Sequence, residues 1–273
     1  MALRINTNVA SLNAQRNLNK STSMLNKSLE RLSSGLRINR AADDAAGLAI
    51  SESMKADIRA LEQSGRNAAD GVSMVQLAEG ALDEVSGILI RMRELAQQAG
   101  NGTMGATERG YIDDEFDALS LEINRISDAA EFNGIKLLNG VGATSDILVG
   151  TSATDTITVN LANDADTTGL GINAVDLTTA ATAQAAMATI DTAIGTLSGW
   201  RADFGVTQNR LESAMRSIDN SIENISAANS RIRDVDIAAE TSRMTSSQIL
   251  QQAGVSVLAQ ANMSPQMALN LLQ

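Results

Sequence analysis

From Met54 to Ala96 an apolar side chain returns at every seventh position: Met54, Leu61, Ala68, Val75, Leu82, Leu89 and Ala96. Ile58 and Val72 flank the first part of that spine, and Ala78, Val85, Met92 and Ala99 flank the second. A second seam steps by four and three near the other end, through Ile190, Ile194, Leu197, Phe204, Leu211, Met215, Ile218, Ile222, Ile225 and Ile232. Arg201, Gln208 and Asn229 interrupt it in the same register. A narrow apolar stripe on a helix cannot bury itself and needs partner helices. The pattern therefore predicts a mainly α fold: a long antiparallel helical bundle or coiled coil formed by both chain ends. A small β-hairpin region is expected at its distal end.

Local signals divide the chain. A first helix is expected from Asn6 to Ser34, with Leu18, Leu25, Leu29, Leu32 and Leu36 on its seam and Ser33-Ser34-Gly35 as its break. Asp43 is the expected N-cap of a second helix reaching Ala99, roughly 85 Å at 1.5 Å per residue. A third helix is expected from Thr107 to Ala130. The Asn133-Gly134 and Asn139-Gly140 pairs are turn signals, and alternating runs follow at residues 147–149 and 156–159. Residues 132–178 thus read as hairpin. The last two helices are expected from Thr182 onward and from Thr241 to Leu271, with an interruption over Val235–Ala239.

Composition narrows the function. The chain has no histidine and no cysteine, which removes imidazole and thiolate metal sites, Ser-His-Asp triads and cysteine nucleophiles. The carboxylate runs Asp43/Asp44 and Asp113/Asp114/Glu115 place neighbours on different helix faces, so they read as solvated or helix-starting acids. No catalytic residue, cofactor or metal is expected. A net charge of −11 lacks the basic footprint of nucleic-acid binding. The N-terminus has no apolar core of a cleaved signal, and no stretch is long enough to span a membrane. Charge is uneven. Between Lys136 and Arg201 the charged residues are all aspartates, which suggests a solvated middle, and after Arg243 there is no charged side chain, which suggests a buried tail.

The run from Ser33 to Ile50, SSGLRINRAADDAAGLAI, closely resembles bacterial flagellin. So do Ile5-Asn6-Thr7-Asn8, Arg91-Met92-Arg93-Glu94-Leu95-Ala96, Phe132-Asn133-Gly134, Ser230 to Asp236 and Gln248 to Gly254. The resemblance covers about residues 1–140 and 180–273. It implies an extracellular filament subunit for swimming motility, secreted by type III export without a cleaved signal peptide and adding at the filament tip. The short middle implies a flagellin with D0 and D1 only. Residues 1–42 would be the N-terminal part of D0 and a spoke, and 43–131 the N-terminal helices of D1. Residues 132–180 would be its hairpin region, 181–234 its C-terminal helix, and 235–273 the C-terminal spoke and D0 helix.

The same resemblance implies partners and sites. The chain would bind itself as a helical homopolymer, an export chaperone, the filament cap and the hook-associated junction proteins. Ile5, Val9, Leu12, Leu18, Leu25, Leu250, Ala253, Val257, Ala261 and Leu271 would build the inner tube. Arg91, Leu95 and Glu115 would form a face shared by neighbouring subunits and a host flagellin-sensing Toll-like receptor, with Leu95 as its apolar centre. Leu269, Leu271 and Leu272 would be read by cytosolic inflammasome receptors. The alternative is a hook–filament junction protein of the same helical family. A secreted coiled-coil adhesin is a more distant one.

Overall fold

A computed structural model describes residues 7–141 and 144–270. The helices are α1 (Val9–Ser34), α2 (Ala45–Ala99), α3 (Ala106–Ala129), α4 (Ala180–Arg233) and α5 (Ile237–Asn270). Between α3 and α4 lie the antiparallel pairs β1 (Glu131–Phe132) with β2 (Ile135–Lys136), and β3 (Thr144–Leu148) with β4 (Thr156–Asn160). The fold is mainly α, as the periodicity predicts. The chain divides into two compact units, Asp57–Glu223 and Met1–Ala56 with Asn224–Gln273.

In the first unit α2 and α4 run antiparallel: Arg93 pairs with Asp191 at 2.5 Å, and Arg201 with Asp83 at 3.0 Å. The helix α3 packs antiparallel along α2. Its Arg109 donates to the carbonyls of Ala99 and Asn101 at 2.8 and 3.0 Å, satisfying groups left open where α2 ends. Every seam residue from Leu61 to Ala96 in the sevenfold series is buried, as are Ile190, Leu197, Phe204, Leu211 and Ile218. Phe116 and Ile123 of α3 close the core.

The middle of the chain departs from the expectation of a solvated segment. Leu137, Leu138, Val159, Leu161, Ala165, Ile172 and Leu177 are buried in the same core as the helices. Burial alternates from Ile157 through Val159, Leu161, Asn163 and Ala165 to Thr167, carrying the two-residue period of β4 into the following loop. Side chains of α3 hold that loop: Asn124 accepts from the Thr167 amide and Asp113 from the Leu177 amide. The aspartates stay mostly outside while the residues between them enter the core. The β1–β2 turn is the expected one, with Asn133 at φ 49° and Gly134 at φ 82°, the left-handed pair of a tight hairpin.

In the second unit α1 and α5 lie antiparallel. Ser28 meets Glu240, Thr22 meets Gln251, and Asn8 donates to the Ala261 carbonyl. A side chain at Gly254 would press on Leu18, whose Cδ1 lies 3.3 Å from the Cβ position. Glycine therefore permits the close approach. The two chain breaks sit side by side: the Arg37 amide donates to the Arg233 carbonyl at 2.6 Å and the Val235 amide to the Gly35 carbonyl at 3.0 Å. Arg233 pairs with Glu52 and Ser51 bonds Asn229, which ties the first turns of α2 to the last turns of α4.

The helix starts differ from expectation, α1 beginning at Val9 and α3 at Ala106. Asp44, not Asp43, caps α2, accepting from the Gly47 amide at 2.9 Å, while Asp43 pairs with Lys27 at 2.6 Å. The Asp236 side chain accepts from the Ala239 amide, so α5 begins at Ile237 and the interruption is shorter than Val235–Ala239. A Thr179–Thr182 reciprocal pair starts α4 slightly early, at Ala180. Asn8 caps α1, accepting from the Ser11 amide. Ile5, Asn6, Leu271 and Leu272 lie outside the described residues, as does the side chain of Leu269.

Candidate functional site

The α1·α5 unit inverts the usual distribution of side chains. Its enclosed positions include the polar Ser28, Glu240 and Ser247, whereas Val9 and Leu12 of α1 and Ile249, Leu250, Val255, Val257 and Met263 of α5 are more than half exposed. Single exposed apolar residues need no explanation, but seven of them on one pair of helices point to an interaction surface. Of the expected assembly residues, Leu25 is buried, and Leu18 and Ala261 are half-buried between the two helices. Val9, Leu12, Leu250, Ala253 and Val257 face outward. Ala14, Met24, Leu250, Ala253 and Val257 line an apolar cleft of about 400 Å³ along this unit. Among the described residues nothing covers these outward side chains.

On the other unit, the Arg91 guanidinium bridges α2 and α3. It donates to Glu115 at 2.8 and 3.1 Å and to Glu94 at 3.1 Å. Glu115, and then Glu94, hold the Arg91 guanidinium further above its ordinary range. All three side chains are about half exposed, so they are available at a surface. Leu95 is not. It is 1% exposed and belongs to the helical core. The reason is the width of the α2 stripe here: α3 and α4 flank it on two sides, so Met92, Leu95, Ala96 and Ala99 all turn inward. The expectation of Leu95 as the apolar centre of an exposed face is therefore corrected to a core position beneath that face. Tyr111, one helical turn before Glu115 on α3, is the aromatic group exposed nearby.

The acidic runs do not converge. Asp43 goes to Lys27, whose hydrogen bond holds its carboxyl below the usual range, and Asp44 to the α2 cap. Asp113 goes to a loop amide and Glu115 to Arg91. Among the described residues no group of three or more acids, histidines or cysteines could hold a metal ion. No described helix is long and apolar enough to cross a membrane.

The chain's relatives show its family. Residues 5–143 match the bacterial flagellin N-terminal helical region, and residues 187–272 match the bacterial flagellin C-terminal helical region. The chain belongs to the bacterial flagellin family. It is similar to a flagellin of Halalkalibacterium halodurans, 47% identical over 98% of this chain and 99% of the relative. A flagellin of Bacillus subtilis is 44% identical over 99% of this chain and 100% of the relative. The crystal structure of Bacillus cereus flagellin is similar over 60% of this chain and 94% of that one, with 34% identity and a TM-score of 0.52. A flagellar hook-associated protein from Vibrio parahaemolyticus shares the fold, with a TM-score of 0.58 over 70% of this chain and all of that one, at 15% identity. Full-length flagellins at 44–47% identity favour the filament role over the junction role. The chain is thus a self-assembling structural subunit of the flagellar filament and not an enzyme.

Proposed function

We propose that the subunit polymerises by burying the outward faces of α1 and α5 between copies. The carrying observation is the row of exposed apolar side chains, Val9, Leu12, Leu250 and Val257 among them, on an α5 that has no charged residue after Arg243. Burying apolar surface is worth about 25 cal/mol per Å², so such a row supplies a driving force that the isolated unit leaves unused. In this reading residues 1–42 and 235–273 form D0, the inner tube. Residues 43–234 form D1, with the subdivisions set out above. Ile5 and Leu271 extend the same tube.

A tail of this kind must be kept from premature association, which suits a dedicated export chaperone before type III secretion, and then addition between hook-associated junction proteins and a cap. The half-exposed Arg91–Glu115–Glu94 cluster supports a further contact face, used between subunits and by a host Toll-like receptor. Leu269, Leu271 and Leu272 are proposed as the segment read by inflammasome receptors. Deletion of residues 244–273 tests the assembly reading. The truncated chain should remain a helical monomer and fail to extend filament seeds. Extension at the normal rate would refute it.

A further inference from the structure

Three asparagines in the chain are followed by glycine: Asn101, Asn133 and Asn139. This dipeptide has a chemistry of its own. With no side chain to shield it, the glycine amide nitrogen can reach the asparagine Cγ and close a five-membered ring within the backbone. Closure requires the backbone between the two residues to rotate, and the structure treats the three pairs differently in this respect.

Asn133-Gly134 is the tight turn of the β1–β2 pair. It is held in the left-handed region, at φ 49° and 82°, by the pairing of Glu131 with Lys136 and Phe132 with Ile135. Asn139-Gly140 is clamped. Asn139 forms a bridge with Asp164, the Ala165 amide donates to the Leu138 carbonyl at 2.7 Å, and a Cβ on Gly140 would lie 2.9 Å from that of Asp164. Ring closure at either pair must therefore break a backbone pairing.

Asn101-Gly102 lies in the turn between α2 and α3, and both residues are exposed. A Cβ on Gly102 would meet nothing within 4 Å, and among the described residues no hydrogen bond engages the Gly102 amide. The Asn101 carbonyl accepts from Arg109 at 3.0 Å and from the Met104 amide at 3.2 Å, but at an exposed turn water can replace such bonds. Asn101 Oδ1 accepts from the Thr103 amide at 3.3 Å, a donor placed at the oxygen that becomes negative on attack. Asn139 has the same kind of donor, the Val141 amide at 3.2 Å. Backbone freedom, not activation, separates the two.

We propose that Asn101 is a self-modification site: the α2–α3 turn deamidates through Gly102, while the fold protects the other two pairs. The Gly102 nitrogen gives its proton to hydroxide or water and bonds to Asn101 Cγ. The Cγ–Nδ2 bond then breaks, and Nδ2 departs as ammonia after taking up a proton. Water opens the resulting succinimide at either carbonyl, leaving aspartate or isoaspartate. One water is consumed and one ammonia released, with no change of oxidation state. Aspartate adds a negative charge to the turn that Arg109 straps. Isoaspartate inserts the side-chain methylene into the backbone and displaces the carbonyl that Arg109 and Met104 share. The site does not depend on the assembly reading.

The test ages the full-length protein at mildly alkaline pH and digests samples with trypsin. Cleavage after lysine and arginine puts the three pairs on separate peptides, residues 94–109, 126–136 and 137–201. Mass spectrometry reads the amide-to-acid gain at each asparagine, and enzymatic methyl labelling counts isoaspartate. In the folded protein Asn101 should react at least about tenfold faster than Asn133 or Asn139. In denaturant the three rates should converge to within about threefold, since the fold no longer distinguishes them. Gly102→Val fits the open space at that position and should slow reaction at Asn101 by about tenfold or more, with circular dichroism confirming that the helices are kept. Equal rates at the three pairs in the folded protein, or an Asn101 preference that persists in denaturant, would overturn selection by the fold. A rate at Asn101 unchanged by Gly102→Val would overturn the ring-closing route.

Discussion

Leu95→Ala discriminates between a core and a surface role for a residue next to the charged face. The side chain is 1% exposed, so the substitution removes three carbons that are almost wholly withdrawn from water. At about 0.8 kcal/mol per methylene the transfer loss is about 2.4 kcal/mol, and the cavity left between α2 and its neighbours raises the total to about 3–4 kcal/mol. For a unit of this size, 1 kcal/mol shifts Tm by about 2–4 °C, so a fall of about 6–16 °C is expected. Calorimetry of the monomer would read it, and Leu95→Met should shift Tm far less because volume is nearly kept. A Leu95→Ala protein that melts within about 2 °C of the parent would refute the core assignment. It would return Leu95 to the surface.

Other consequences are separable. Arg91→Ala combined with Glu115→Ala should leave monomer melting almost unchanged while weakening filament stability and Toll-like-receptor signalling; unchanged values of both would make the cluster ordinary solvated surface. Asp164 is packed against Gly140 and Gly169, and burial raises its carboxyl above the ordinary 3.8. A raised folded-state value means its favourable contribution is complete below pH 3.8 and is lost as pH rises through the folded-state value, so at neutral pH the ionised group opposes folding. Asp164→Asn should therefore raise Tm at pH 7 and have little effect near pH 3, and equal shifts at both pH values would contradict that cause. Asp43 runs the other way. Lys27 lowers its carboxyl, so Asp43→Asn should destabilise at neutral pH, with the difference from the parent vanishing as pH falls through the folded-state value.

The helices were legible because their burial repeats. Leu61 to Ala96 and Ile190 to Ile218 keep a sevenfold register that only a helix can place on one face, and every buried member of those series was marked by sequence alone. Leu95 escaped that reading because a sevenfold register names one stripe, whereas α2 packs on both sides and needs a wider one. Leu161, Ala165 and Ile172 escaped for a different reason: the neighbouring aspartates dominate the composition, while a two-residue alternation in a loop is a weak signal beside it. Asp43 and Asp44 are equivalent as candidate caps in sequence, and only the position of Lys27 decides between them. Glu240 carried no local mark, since its enclosure depends on Ser28 and Arg31, more than two hundred residues away.

The central claim is that the outward faces of α1 and α5 become the inside of a polymer. A cryo-electron microscopy reconstruction of filaments grown from the purified chain tests it directly. The account predicts Val9, Leu12, Leu250 and Val257 enclosed between neighbouring copies, with α5 still antiparallel on α1. Filaments in which those side chains remain open to solvent would contradict it.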